Sequence, residues 1–204
     1  MGFGLLLFGY LMLITVPFHG VDVFVDLVGF LFILAAMKKL EAYNIYFLRC
    51  KQTAVVMCGV GALTLITQVM SFFVTLPGIV TTAAALINAA GMLVFHYFML
   101  HGIRSIARYT ELPKWAAKAE RNWSITVIYY VAVLALMIPA VENFAGPYFS
   151  LPVYVLGLVW LGLNIWLIFN CYARICLEGD EDMPYTPSKF EVAFNEMLKK
   201  NKKK

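Results

Sequence analysis

Long apolar runs alternate with shorter polar connections along this chain. Each of six runs holds 16 to 24 residues: Phe3–Phe18, Val21–Met37, Thr53–Leu76, Ile79–His101, Ser124–Val141 and Leu151–Cys171. About 20 apolar residues allow a helix to cross the hydrocarbon core of a bilayer. The pattern therefore predicts an all-α integral membrane protein with about six transmembrane helices.

Two kinds of connection separate these runs. Longer polar stretches separate one pair of runs from the next, and short turns join the two runs of each pair, at His19-Gly20, Pro77-Gly78 and Glu142–Ser150. This arrangement predicts three helical hairpins that form one transmembrane domain, residues 1–172. In the alternative, residues 3–37 form a re-entrant hairpin and four helices cross the membrane.

The distribution of charge predicts the orientation. The chain is 62% hydrophobic and only 14% charged, whereas about a quarter of the residues of a soluble domain are charged. All 16 Lys and Arg fall in the two longer connections or from Arg174 onward. Because cytoplasmic loops carry an excess of Lys and Arg, we expect both connections and both termini in the cytoplasm. The small size and this asymmetry are typical of a bacterial plasma membrane protein.

The chain ends in a predicted cytoplasmic tail, residues 173–204. Ser188 and Glu191 have the spacing of a capping box, and apolar residues recur at helical spacing from Phe190 to Leu198. Five lysines follow this predicted amphipathic helix: Lys199, Lys200, Lys202, Lys203 and Lys204. We expect the tail to contact anionic lipid headgroups, at about 1 kcal/mol per basic residue. Alternatively, the helix packs against the protein's own cytoplasmic face.

Two acidic residues stand near the start of the second apolar run. His19, Asp22 and Asp26 are spaced i, i+3 and i+7, so they share one face of a helix. We expect Asp22 in the first helical turn, where the helix dipole favours a carboxylate. Asp26, one turn deeper, must face protein or water, because a carboxylate facing lipid costs a few kcal/mol. Asp26 is therefore the candidate transport site, with Asp22 and His19 at its outer mouth. In the alternative, Asp26 is a buried structural contact and His19 is a turn residue bonded to backbone.

Three amides lie within the apolar runs. Counted from the turn at residues 77–78, Gln68 and Asn88 lie about 13 and 15 Å deep, at 1.5 Å per residue. This predicts a Gln68–Asn88 hydrogen bond, with Asn164 as a third member of the group. Interhelical amide bonds average about 0.6 kcal/mol and are common structural contacts, so ordinary helix packing is the alternative to a polar pathway.

Catalytic motifs are not found in the sequence. It holds no G-x-S-x-G elbow, Walker loop, H-E-x-x-H or dinucleotide fingerprint, and its four cysteines lack the close spacing of a zinc site. We therefore expect no cofactor or metal, and the sequence favours a non-enzymatic protein over the alternative of a multi-pass enzyme that acts on lipids. The membrane topology accounts for the basic connections, so we expect no nucleic-acid partner.

Two functional hypotheses follow. The first is a non-enzymatic accessory, assembly or interaction protein, whose basic loops and tail contact lipid or a membrane protein partner. The second is a small proton- or cation-coupled transporter that uses Asp26. The sequence favours the first, because the three hairpins run in the same direction and share no motif, unlike the inverted repeats of many transporters. The second predicts that the polar residues converge on one cavity.

Overall fold

A computed structural model describes residues 2–13, 17–18, 21–22, 26–71, 73 and 78–175. This part of the chain is helical apart from one short antiparallel ladder, in which β1 (Pro17–Phe18) pairs with β2 (Val21–Asp22). Its helices are α1 (Gly2–Met12), α2 (Asp26–Leu40), α3 (Ile45–Ser71), α4 (Gly78–Tyr109), α5 (Pro113–Leu136) and α6 (Pro139–Arg174). The tail from residue 176, with its predicted helix and five lysines, lies outside the described residues.

Three of these helices are long and apolar enough to cross a membrane. The crossing segments are Ile45–Thr67 in α3, Thr82–Tyr109 in α4 and Gly146–Arg174 in α6. By contrast, α1 has 11 residues and α2 has 15, fewer than the roughly 20 that a crossing requires. The membrane assignment thus rests on three helices. Six crossings remain a prediction, as does the re-entrant alternative.

The connection between α5 and α6 lies earlier in the chain than the predicted turn. The predicted turn at Glu142–Ser150 is wrong, because α6 begins at Pro139 and continues through Pro147 and Pro152. Proline suits the first turn of a helix, where its fixed φ is already helical and its missing N–H costs nothing. Interior prolines are tolerated in membrane helices when neighbouring groups satisfy the freed carbonyls. The Gly and Pro residues of this segment therefore resembled a turn without forming one.

The helices form a closed series of contacts. Each helix packs against the next in sequence, and α1 also packs against α6. Large buried side chains fill the space between them, among them Phe3, Phe30, Phe47 and Phe95. Phe30 of α2 meets Phe95 of α4 edge to face, with ring centroids 5.6 Å apart. Aromatic pairs of this geometry contribute about 0.5–1.5 kcal/mol beyond their buried area.

One end of the structure carries the positive charge. The first residues of α1 lie against Leu40 of α2 and Tyr172 of α6, and Arg174 of α6 lies over the ring of Trp115 in α5. Four parts of the chain thus lie together: the α2–α3 connection, the α4–α5 connection, the start of α1 and the end of α6. Every Lys and Arg of the described residues lies in these parts or in the helix turns next to them. We call this the basic end.

Helices α1 and α2 approach each other closely at two glycines. A Cβ atom placed on Gly9 would lie 2.8 Å from the carbonyl oxygen of Gly29 and 2.9 Å from the backbone nitrogen of Ile33. Both distances are shorter than the contacts that Cβ atoms make in proteins, and both involve backbone atoms, which cannot move aside as a side chain can. Small residues permit such close approach between membrane helices, so this contact sets the distance between α1 and α2.

Substitution of Gly9 tests this close contact between α1 and α2. Gly9→Ala is expected to lower the free energy of unfolding by about 1–3 kcal/mol, the usual cost of overpacking a tight contact. The control is Gly59→Ala in α3, where a Cβ would meet nothing within 4 Å and loss of a helix-interior glycine is worth about 0.5–1 kcal/mol of added stability. Thermal unfolding of the two purified variants in detergent, followed by circular dichroism, should shift Tm in opposite directions. Equal Tm values would contradict the close contact.

Candidate functional site

A cavity of about 270 Å³ lies between α1, α2, α4, α5 and α6, away from the basic end. The groups on its wall that carry polar or aromatic chemistry are Tyr10, Asp26, Asn88, Tyr129, Tyr130 and Trp160. Apolar side chains such as Met92 and Leu161 complete the wall. The fold therefore brings Asp26 and Asn88, both singled out in the sequence, to the same cavity.

Asp26 occupies a different position from the one expected. It is the first residue of α2, while Asp22 lies in the ladder opposite Pro17. The expectation of Asp22 in the first helical turn and Asp26 one turn deeper is wrong. A local reason is that the β-branched Val21 favours extended backbone, which delays the helix. The stabilisation of a carboxylate by a helix N-terminus thus applies to Asp26. His19 and the side chain of Asp22 lie outside the described residues.

The structure describes the side chains of two of the three predicted amides, Asn88 and Asn164. Asn88 lies on the cavity wall, and the side chain of Gln68 lies outside the described residues, so their hydrogen bond stays a prediction. Asn164 has another partner: the Nδ2 of Asn122 in α5 donates to the Oδ1 of Asn164 at 3.2 Å and to the carbonyl oxygen of Leu163 at 3.0 Å. The Asn164 amide therefore joins α5 to α6.

A buried hydrogen bond connects the cavity to the protein interior. The hydroxyl of Tyr10 lies 2.9 Å from the Nε2 of His96, and the Nδ1 of His96 lies 2.7 Å from the carbonyl oxygen of Met92. Because a carbonyl oxygen only accepts, the neutral imidazole carries its proton on Nδ1, and Tyr10 donates to Nε2. His96 is completely buried. Tyr10 is thus shared between the cavity wall and an internal polar pair.

Further polar contacts continue this network on α5 and α6. The Nε1 of Trp160 donates to the Oγ1 of Thr126 at 2.9 Å, and Thr126 donates to the carbonyl oxygen of Asn122 at 2.7 Å. Asn164 lies beside the Tyr10 hydroxyl and interacts with it, although its buried Nδ2 completes no hydrogen bond with a described residue. Polar side chains from four helices therefore surround the inner side of the cavity.

Aromatic rings form much of the cavity wall and fix one another in place. Tyr129 stacks on Trp160 with ring centroids 4.8 Å apart and an interplanar angle of 15°. Tyr130 meets Trp160 edge to face at 5.6 Å, and His96 contacts Trp160 from behind the wall at 5.0 Å. The carboxylate of Asp26 interacts electrostatically with the Tyr130 hydroxyl. A rigid aromatic surface therefore faces an acidic group.

Several residues of this site were missed in the sequence, although a signal for some of them was present. Asn122, Thr126 and Tyr130 are spaced i, i+4 and i+8, so they share one face of α5. Trp160 and Asn164 are likewise four residues apart on α6. Polar residues at helical spacing in a membrane helix predict a packed or wet face. No spacing pattern in the sequence predicts the hydrogen bond between Tyr10 and His96, because the two residues lie on different helices.

The polar groups at this site can bind cations and exchange protons. The site holds a carboxylate, three phenols, an imidazole and two side-chain amides, those of Asn88 and Asn164. Within the described part of the chain, no three His, Cys, Asp or Glu side chains are grouped so that they could hold a metal ion. Cys50, Cys58 and Cys171 are free thiols.

Comparisons of the chain with protein-family models, with curated proteins and with solved structures found no match. The function must therefore be argued from the cavity and its hydrogen-bond network.

Proposed function

We propose that this protein is a small membrane transporter that moves protons or other small cations through the cavity at Asp26. The observation that carries the proposal is that Asp26 and Asn88 line one cavity, together with Tyr10, Tyr130 and Trp160. Convergence of polar residues on a cavity is what a transport path requires. Carboxylates within membrane helices commonly belong to ion paths and proton relays.

The charge of the cavity favours a cation. Among the described residues of its wall, Asp26 is the one carboxylate and no Lys or Arg is present. The cations of the described residues lie at the basic end, whereas α2 extends about 22 Å from that end to Asp26, at 1.5 Å per residue. Aromatic ring faces attract cations further. An anionic substrate would be repelled at this site.

The internal polar pair supports a role for protons. Tyr10 lies on the cavity wall and donates to His96, which in turn donates to the backbone of its own helix. The Nε2 of His96 is a proton acceptor, and once protonated it would donate to the Tyr10 oxygen while Nδ1 keeps its bond to the Met92 carbonyl; chains of this kind form proton relays in membrane proteins. The pair would extend a proton path from Asp26 beyond the cavity.

The charge asymmetry supports an orientation for this transporter. Cytoplasmic loops carry the excess of Lys and Arg, so the basic end and both termini would face the cytoplasm and the cavity would face outward. Six crossings, arranged as three hairpins, and a place in a bacterial plasma membrane belong to the same proposal. Protease added to intact cells tests this orientation, because a cytoplasmic tail would be protected from cleavage.

The accessory-protein hypothesis depends on a different part of the chain. Its main support is the amphipathic tail with Lys199, Lys200, Lys202, Lys203 and Lys204. That segment lies outside the described residues, so the hypothesis stays a prediction. The geometry of the described helices favours the transporter.

A reconstitution experiment tests the proposal. Purified protein in liposomes is expected to carry protons or monovalent cations down an imposed gradient, followed with a trapped pH-sensitive or cation-sensitive dye. Ala85→Phe, which places a phenyl ring on the cavity wall, should reduce this flux several-fold. Ala83→Phe is the matched control, because Ala83 is exposed on the same helix and lies off the wall. Wild-type flux no greater than that of empty liposomes would refute the transporter.

A further inference from the structure

Two tryptophans hold a lysine at the basic end. The Nζ of Lys118 lies 4.0 Å from the ring centroid of Trp115 and 3.8 Å from that of Trp166. Trp115 is also approached by Arg174, whose Cζ lies 5.5 Å from its ring centroid. The two indoles meet edge to face at 5.4 Å. These contacts fix an ammonium and a guanidinium beside one aromatic pair on α5 and α6.

Two further cations stand on the same side of α5. Lys114, Lys118 and Arg121 are spaced i, i+4 and i+7, so they form a stripe along one helix face. Like charges at this spacing destabilise a helix by a few tenths of a kcal/mol per pair. Lys114 also lies in the first turn of α5, where the helix dipole disfavours a cation. These three cations therefore lower the stability of α5 unless another group compensates their charge. We call Lys114, Lys118, Arg121 and Arg174 the indole-cation cluster.

Within the part of the chain that the structure describes, no carboxylate forms an ion pair with this cluster. The ion pairs found among the described residues join Lys51 to Glu41 and Arg104 to Glu120, and neither includes a member of the cluster. The pKa of Lys118 is lowered from its ordinary value, by desolvation and then by the charges of Lys114, Arg121 and Arg174. Three cations of the described residues thus act on Lys118.

We propose that the indole-cation cluster is a binding site for the phosphate group of an anionic phospholipid. A phosphodiester anion would relieve the mutual repulsion of the four cations and accept hydrogen bonds from Lys and Arg. Trp115 and Trp166 are the residue type that is enriched at headgroup depth in membranes, and Arg174 ends the membrane-crossing segment of α6. This position places the cluster beside headgroups. The site shares no residue with the predicted lysine tail or with the cavity at Asp26.

Quenching of tryptophan fluorescence by brominated lipid tests this site. The full chain is reconstituted in phosphatidylcholine vesicles that contain either brominated phosphatidylglycerol or brominated phosphatidylcholine. The wild type is expected to prefer phosphatidylglycerol, and Lys118→Gln combined with Arg174→Gln is expected to weaken that preference about 30-fold, at roughly fivefold per basic residue. Lys118→Arg should retain it.

A matched pair of substitutions separates a site from general surface charge. Lys38→Gln with Lys39→Gln removes the same charge from exposed residues at the end of α2 and should leave the lipid preference unchanged. Equal loss in both double variants would overturn the site, as would a wild type without lipid preference. Full competition by inorganic phosphate would show a soluble anion instead of a lipid and would overturn the lipid assignment. An unchanged Tm establishes that the variants remain folded.

Discussion

Asp26→Asn is expected to reduce cation or proton flux in proteoliposomes by at least about 30-fold. Asparagine keeps the shape of the side chain and remains compatible with the start of α2, but it removes the carboxylate from the cavity wall. The substitution removes the negative charge that would attract a cation in the cavity, and a loss of about 2 kcal/mol of this attraction corresponds to about 30-fold. The flux assay with a trapped dye measures this change directly.

Two further variants show whether the carboxylate itself is responsible. Asp26→Glu keeps the charge and should recover part of the flux. Glu111→Gln removes a carboxylate from an exposed position at the basic end, far from the cavity, and should leave the flux unchanged. If Asp26→Asn transports at the wild-type rate but unfolds at a lower temperature, Asp26 is a structural residue at a helix start and the transport proposal loses its central group.

His96→Leu should have the largest effect on stability, about 2–4 kcal/mol of unfolding free energy. The substitution leaves the buried Tyr10 hydroxyl without the acceptor it has in His96, and an unsatisfied buried group costs about 1–3 kcal/mol. It also removes the ring that contacts Phe95, Tyr130 and Trp160, each such aromatic pair being worth about 0.5–1.5 kcal/mol. Thermal or denaturant unfolding in detergent measures the loss.

Helix α4 offers a matched control for this substitution. His101 also bonds through Nδ1 to the carbonyl oxygen four residues earlier and contacts three aromatic rings, but it has no hydrogen bond to another helix among the described residues. His101→Leu should therefore cost less than His96→Leu by about 1–3 kcal/mol, the cost of the unsatisfied Tyr10 hydroxyl. In a double-mutant cycle, Tyr10→Phe should be nearly neutral in the His96→Leu background. Additive costs would mean that the two side chains do not interact.

The parts of the fold that depend on local pattern could be predicted from the sequence. The apolar runs at residues 53–76, 79–101 and 151–171 correspond to α3, α4 and α6, the helices long enough to cross a membrane. Helix ends were less predictable, because Pro139 begins a helix in a segment whose composition resembles a turn. Asp26 was identified as a candidate, but its place at the start of α2 depends on backbone that pattern alone does not specify.

The sequence by itself determined that the chain is helical, that it is built for a membrane, and that its Lys and Arg are confined to a few polar segments, because these properties depend on runs of neighbouring residues. The tertiary structure decided which polar groups meet. Tyr10 and His96 are 86 residues apart in the chain, and Asn122 and Asn164 are 42 apart. Such pairs form only when helices pack in one particular register, since a hydrogen bond tolerates errors of only a few tenths of an ångström. No local pattern carries that information.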